Sequence, residues 1–258
     1  SILDDGVLAR ASAGVDAVVH LAAWAGVRPS IERPALYTRE NVDGTVAVLD
    51  AARAQKKPPR IVLASSSSVY GGNTKVPFHE DDPVERQVSP YAATKKACET
   101  LAWTYHHLWQ LDVTCLRFFT VYGPRQRPEM AIHKFAQLLV DGKKIPRYGD
   151  GKTARDYTFI DDVVQGVLSA VDRCRGFHIY NLGNSRTVEL DELIRLLADA
   201  LAVDPKIEVL PDQPGDVAIT CADVGRARAE LDYKPDFPIE RGIKIFAEWF
   251  RARRQSAP

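Results

Sequence analysis

Short apolar segments alternate with longer helix-patterned segments along the first two thirds of this chain. The apolar segments lie at residues 17–22, 61–65 and 113–119, and helical patterns lie between them at residues 37–54 and 91–109. This alternation is typical of parallel βαβ units, because two parallel strands must be joined by a crossover that is usually a helix. The sequence therefore predicts an α/β fold built on a parallel sheet.

The last third of the chain has a different pattern, with two apolar stripes at helical spacing after residue 190 and few buried-strand signals. We predict a Rossmann-type doubly wound parallel sheet that comprises residues 1–120 together with about 160–183. A smaller C-terminal α/β domain for substrate binding would comprise about 121–159 and 184–258.

Charge and cysteine usage exclude several classes of protein. Lysine plus arginine and aspartate plus glutamate both total 34, so no basic excess points to nucleic acid or to an anionic membrane surface. No apolar run is long enough to span a bilayer. The cysteines are scattered without metal-ligand spacing, so we expect reduced thiols in a cytoplasmic protein and no metal site. They are Cys98, Cys115, Cys174 and Cys221.

Tyr91 and Lys95 are four residues apart on a predicted helix, so their side chains share a face. A nearby ammonium favours the phenolate and lowers the pKa of the tyrosine, which would make the pair a proton shuttle for alcohol–ketone interconversion. The spacing alone is weak, because Tyr148 and Lys152 share it across two glycines that predict a turn. Taken alone, Tyr91 and Lys95 also fit an aromatic–cation pair on a helix surface.

Four consecutive serines, Ser65 to Ser68, follow a predicted buried strand. Ligands of doubly wound sheets bind at the carboxyl ends of the strands, and a hydroxyl can both donate to and accept from a sugar hydroxyl. A plain turn would also explain the serines. The serine cluster followed by Tyr-x-x-x-Lys on a helix is more specific than either part.

Several segments resemble, in order, the motifs of UDP-sugar 4-epimerases, which belong to the extended short-chain dehydrogenase/reductase family. Three successive segments carry most of the resemblance: ASSSSVYG at residues 64–71, SPYAATK at 89–95 and LRFFTVYGP at 116–124. Four further segments agree with it: HLAA at 20–23, NVDGT at 41–45, RDYTFIDD at 155–162 and QPGD at 213–216.

The resemblance implies NAD-dependent epimerisation at C4 of a UDP-hexose through a 4-keto intermediate. It implies that Tyr91 is the base and acid at the sugar O4, that Lys95 tunes it and binds the nicotinamide ribose, and that Ser66 hydrogen-bonds O4. Besides Tyr91 and Lys95, it places at the NAD site Leu21, Ala22, Ala23, Asn41, Ser65 and Phe118. It places beside the UDP-sugar Ser67, Ser68, Thr120, Arg127, Arg155, Gln213 and Asp216.

The chain departs from the family pattern at its start, because no glycine-rich turn precedes residue 17. The resemblance therefore implies an incomplete sheet that lacks the family's first strands and its pyrophosphate-binding turn. The sugar is open between glucose/galactose and glucuronate/galacturonate. Gln213, in place of an arginine, and the GPRQRP segment favour glucuronate, whose carboxylate Arg127 would face. For Arg155 a surface ion pair with Asp156 or Asp161 is the alternative to a role at the diphosphate.

Two other functions fit parts of the pattern. A nucleotide-sugar 4,6-dehydratase shares the first step, but its chemistry needs an Asp-Glu pair at the positions of Ser67 and Ser68. A truncated, inactive nucleotide-sugar-binding or scaffold protein would explain the absent glycine-rich turn. The resemblance also implies a homodimer, in which the helices over residues 37–54 and 91–109 of each subunit form a four-helix bundle.

Overall fold

The computed structural model describes residues 1–211 and 217–255. Gln213 and Asp216, which the sequence analysis places beside the nucleotide, lie outside the described residues. The strands are β1 (Ala17–His20), β2 (Arg60–Ser66), β3 (Val113–Phe118), β4 (Thr120–Tyr122), β5 (Lys144–Tyr148), β6 (Ala154–Phe159), β7 (Phe177–Leu182), β8 (Thr187–Glu189) and β9 (Lys206–Leu210).

The helices come in long and short forms. They are α1 (Asp5–Ser12), α2 (Val27–Glu32), α3 (Pro34–Tyr37), α4 (Gly44–Arg53), α5 (Pro90–Trp109), α6 (Ala131–Val140), α7 (Ile160–Arg173), α8 (Leu190–Leu201), α9 (Gly225–Leu231) and α10 (Ile239–Gln255). A π-helical turn, Thr38–Asp43, joins α3 to α4, and a 3-10 turn, Ser67–Tyr70, follows β2.

The main sheet has the order β1-β2-β3-β7, and all of its strand pairs are parallel. Each connection between its strands includes at least one helix, which is the arrangement predicted from the alternating pattern. The predicted α/β class with a parallel Rossmann-type sheet is thus confirmed. Within the described residues β1 pairs only with β2, so it is an edge strand, and Val19 on it is exposed.

Two smaller sheets lie in the rest of the chain. One has the order β4-β6-β8 and the other pairs β5 with β9. Strand β5 ends at Tyr148, and Gly149 and Gly151 follow with positive φ angles of 64° and 80°. Tyr148 and Lys152 therefore flank a turn, as the two glycines predict, and do not share a helix face.

The buried apolar residues form three clusters. One joins α6, α8 and α10 with β6, and two cover the faces of the main sheet. Leu231 of α9 belongs to one of the main-sheet clusters, although the segment containing it was assigned from sequence to the substrate domain. The domain boundaries stay a prediction.

Residues 1–211 and 217–255 were searched for membrane-spanning helices, metal-ligand groups and disulfides. No helix in this part of the chain is both long and apolar enough to cross a membrane. Nor does it contain a group of three metal-type ligands. All four cysteines are unpaired, and only Cys221 is not fully buried.

Candidate active site

The carboxyl end of β2 carries the serine cluster. Ser66 is the last residue of the strand and caps the following 3-10 turn, since its hydroxyl oxygen accepts from the Ser68 amide at 3.2 Å. The same hydroxyl lies 3.0 Å from that of Ser68. Ser66 is buried, whereas Ser67 and Ser68 are half-buried. The strand end therefore offers a row of hydroxyls at the position where this fold class binds ligands.

Helix α5 begins at Pro90, directly after Ser89, which caps it. Ser89 caps it, accepting from the Ala92 amide at 3.1 Å, and Pro90 occupies the first turn, where its missing N–H costs nothing. The Tyr91 amide donates to the Ser30 hydroxyl at 3.1 Å, which ties the same turn to α2. These contacts place Tyr91 against β2, with its phenol close enough to Ser66 for that side chain to lower the pKa of the phenol.

The pKa of Tyr91 is nevertheless raised. Burial is the main cause, and it outweighs the hydrogen bond from Ser66 and the positive charge of Arg127, which both lower the pKa. Lys95 is buried too, so its own pKa is lowered, and its ammonium donates to the Ala64 carbonyl oxygen at 2.8 Å. Lys95 thus does not produce the net lowering of the tyrosine pKa that the sequence analysis predicts.

The loop after β1 has an exposed apolar start and a buried polar anchor. Leu21, Ala22 and Ala23 are exposed, with Leu21 at 59%. Asn41 lies in the π-helical turn and is buried; its amide accepts from the Trp24 amide at 2.7 Å and donates to the Trp24 carbonyl at 3.0 Å. The side chain of Asn41 therefore shapes this loop from inside the protein, at a π-bulge of the kind often found at functional sites.

The Ser65 side chain is buried and points toward α5. Its hydroxyl donates to the Glu99 carboxylate at 2.6 Å, and the same carboxylate pairs with Arg117 through two bonds of 2.9 Å. A contact between Ser65 and NAD would therefore involve its main chain. The sequence analysis missed Glu99 and Arg117, although Glu99 lies four residues after Lys95 on the same helix face.

The remaining predicted substrate residues lie on β4, β6 and the loop after β4. Thr120 and Arg155 are half-buried, and Phe118 is half-buried at the end of β3. Arg155 donates to the carbonyls of Ala154 at 3.0 Å and Ala218 at 3.3 Å. Arg127 is exposed and pairs with Glu129 at 2.8 Å, yet its charge is close enough to lower the pKa of Tyr91.

An aromatic residue that the sequence analysis missed packs on the candidate base. Tyr37 is fully buried, and its ring meets that of Tyr91 edge to face, with centroids 6.3 Å apart. Its hydroxyl donates to the Ala25 carbonyl at 2.9 Å. Tyr37 therefore fixes the ring plane of Tyr91, and no local spacing signals this contact because the two residues lie on different helices.

A parallel sheet with a tyrosine–lysine helix packed against a serine-bearing strand end defines a Rossmann-type enzyme of the dehydrogenase/epimerase class. The NAD dependent epimerase/dehydratase family matches residues 1–183, and the chain belongs to this family.

Similar proteins are named for two kinds of activity. UDP-glucuronate 4-epimerase 5 of Arabidopsis thaliana is 43% identical over 250 residues, 90% of this chain and 57% of the relative. UDP-glucuronic acid 4-epimerase of Bacillus cereus, solved with UDP-glucuronic acid and NAD, aligns with a TM-score of 0.91 at 30% identity, over 98% of this chain and 80% of that one. The dTDP-glucose 4,6-dehydratase of Streptomyces venezuelae, with NAD, aligns with a TM-score of 0.92 at 34% identity, over 99% and 79%. The chain spans 57% of the length of the Arabidopsis relative and 72% of the length of two other curated relatives.

Proposed function

We propose that this protein is an NAD-dependent UDP-sugar 4-epimerase, with UDP-glucuronate and UDP-galacturonate as its substrate pair. The observation that carries the proposal is the packing of the Tyr91–Lys95 helix on the serine-bearing strand end, where the Lys95 ammonium donates to the Ala64 carbonyl at 2.8 Å. There Tyr91 lies close enough to Ser66 and Arg127 for both to lower the pKa of its phenol. The family, its UDP-glucuronate 4-epimerase members and their NAD complexes support it.

The residues around Lys95 fit the nicotinamide half of NAD. The Lys95 ammonium has three donors, and the Ala64 carbonyl takes one, so donors remain for ribose hydroxyls. An exposed apolar surface lies at the carboxyl end of β1, where a flat ring can pack. It is formed by Leu21, Ala22 and Ala23. At the ends of the next strands lie Phe118 and the main chain of Ser65. Asn41 fixes the loop after β1 through its two hydrogen bonds to the Trp24 main chain. Bound there, NAD would supply the hydride acceptor and donor for C4 of the sugar.

Tyr91 moves the proton in both half-reactions. It accepts the O4 proton as C4 becomes a ketone, and it returns that proton once the ketone has turned over and has been reduced from its other face. Ser66 holds O4 by a hydrogen bond, and Ser67, Ser68 and Thr120 line the sugar. Tyr91 must be the phenolate when it accepts the O4 proton, and it is the acid once it carries that proton. Burial opposes the phenolate and raises the pKa of Tyr91, whereas the charge of Arg127 favours the phenolate.

The anchor for the nucleotide comes from β6 and the segment after β9. We assign Arg155 to the diphosphate, together with Gln213 and Asp216 from the segment outside the described residues. Arg127 would exchange its ion pair with Glu129 for the glucuronate carboxylate, a charge-assisted and potentially bidentate contact. Ser67 and Ser68 cannot supply the acid and base that dehydration requires, which favours epimerisation over the dehydratase reaction of the Streptomyces relative.

A homodimer, a cytoplasmic location and the two-domain division with boundaries near residues 121, 160 and 184 belong to the same proposal. Helix α5 carries Trp103 and Leu108 with 51% and 57% of their surface exposed, which favours burial by a second copy. Four unpaired cysteines are typical of a reducing compartment.

The test is side-by-side turnover of UDP-glucuronate, UDP-glucose and dTDP-glucose by the NAD-loaded protein. We expect UDP-galacturonate from the first and no 4-keto-6-deoxy sugar from the third. An NAD-loaded protein that converts none of the three would contradict the proposal.

A further inference from the structure

A buried polar network lies directly beneath the serine–tyrosine site. Glu99 and Arg117 are each only 1% exposed and form a bidentate ion pair, with both nitrogen–oxygen distances at 2.9 Å. Removing two charges from water costs free energy that their attraction does not always repay. Stabilisation of the fold therefore does not by itself explain why this buried pair is present.

The network connects every segment that supplies the proposed catalytic residues. Ser65 and Arg117 are register partners on β2 and β3, and Glu99 of α5 contacts both of them. Ser66 directly follows Ser65 on β2. On α5, Lys95 lies one helical turn before Glu99 and Tyr91 lies two turns before it. The ion pair thus fixes the position of α5 along and around its axis relative to the strand that ends in Ser66.

Arg117 also binds the segment that follows the serines. Its guanidinium donates to the Tyr70 hydroxyl at 3.0 Å and to the Glu80 carbonyl at 3.1 Å. Tyr70 closes the 3-10 turn that carries Ser67 and Ser68, and its hydroxyl donates to the Asn181 side chain at 2.7 Å. Glu80 lies in the loop that leads into α5. One side chain therefore joins the strand end, the serine turn and the approach to the helix.

We propose that Glu99 and Arg117 are positioning residues for catalysis, which hold helix α5, and with it Tyr91, in place beside the strand end that carries Ser66. The inference rests on the proposed epimerase function. Neither residue touches substrate or NAD; both act through the placement of α5 on β2 and β3. A displacement on the order of 1 Å at a reacting group can lower a rate about 100-fold, so a small shift of α5 has a measurable effect on turnover.

The informative variant is Glu99→Gln, which keeps the shape of the side chain and loses the charge that holds Arg117. We expect a fall in kcat of about 10- to 100-fold with an unchanged KM for UDP-glucuronate, because the nucleotide anchor lies elsewhere. The matched control is Leu197→Ala, a fully buried residue of the α6–α8–α10 cluster. It should lower the unfolding midpoint and leave kcat per folded molecule unchanged.

A second readout requires no turnover. The 13Cζ resonance of Tyr91, assigned with the Tyr91→Phe variant, reports the hydrogen bonding of the phenol. We expect it to move in Glu99→Gln and to stay in place in Leu197→Ala. An unchanged resonance together with wild-type kcat in Glu99→Gln would overturn the inference and leave the epimerase function standing. A wild-type protein without turnover would contradict the proposed function, and the resonance would then decide the positioning claim by itself.

Discussion

Replacement of Arg117 by methionine should destabilise the protein strongly. The change leaves the buried Glu99 carboxylate with only the half-buried Lys96 ammonium, at 3.6 Å, and removes four hydrogen bonds of 2.9–3.1 Å, to Glu99, Tyr70 and Glu80. Burial lowers the pKa of Arg117, but the hydrogen bonds and charge of Glu99 outweigh this effect and raise it, so the arginine is charged in the folded protein. Breaking one side of a buried ion pair costs about 3–5 kcal/mol, and we expect that loss in the free energy of unfolding.

The assay is urea denaturation of the wild type, Arg117→Met and the double variant Glu99→Leu/Arg117→Met. Removing both charges leaves no unpaired carboxylate, so the double variant should recover about 2 kcal/mol relative to Arg117→Met. The control is Lys57→Met, whose ion pair with Asp16 is exposed and should contribute less than about 0.5 kcal/mol. A loss below about 1 kcal/mol in Arg117→Met, or a double variant less stable than the single one, would refute the reasoning.

Three further outcomes are expected. Tyr91→Phe should lower kcat by about 100- to 10,000-fold with unchanged circular dichroism, and activity close to wild type would exclude Tyr91 as the proton carrier. Arg127→Met should raise KM for UDP-glucuronate about 10- to 100-fold and leave KM for UDP-glucose alone, whereas Arg125→Met in the same loop should change neither. Burial and the charge of Lys95 lower the pKa of His20 to about 4 from 6.5, so this group stabilises the fold above pH 6.5 and the contribution is lost as pH falls toward 4. In His20→Asn the loss of unfolding free energy between pH 7 and 4 should be smaller by up to about 3 kcal/mol. The same loss in both proteins would show that folding does not lower the pKa of His20.

The long elements were predictable because their signals are local. Helix α5 follows from a serine cap and a proline in its first turn, and the prediction of residues 91–109 differs from the structure by one residue. The buried strands β2 and β3 follow from continuous apolar runs, which the parallel sheet requires.

The short elements were missed because tertiary partners make them. Strand β4 has three residues and pairs with β6, more than thirty residues away, so neither carries enough periodicity to be recognised. Helix α1 is eight residues long and mostly exposed, and its pattern is too weak to stand out. Paired residues of β5 and β9 lie 62 positions apart in the chain, as Lys144 and Lys206 do, and β9 is largely exposed, so no apolar run marks it.

The site shows the same division. The spacing of Tyr91 and Lys95 and the serine run were readable, and the structure brings Tyr91 and Ser66 together. The direction of the tyrosine pKa was not readable, because burial decides it and burial depends on Tyr37 and other residues from distant segments. The sequence analysis places Arg117 in a predicted strand and a motif and assigns it no role. Its position at the centre of a buried network depends on Glu99, Tyr70 and Glu80, which lie on three other segments.

The central claim is that C4 of a UDP-sugar is oxidised and reduced again within one active site. The direct measurement uses UDP-glucuronate carrying deuterium at C4, with product analysis by proton NMR and mass spectrometry. The account predicts UDP-galacturonate that retains the deuterium at C4, since the hydride that leaves is the one that returns. Product with hydrogen from solvent at C4, or no product from an NAD-loaded and folded protein, would contradict it.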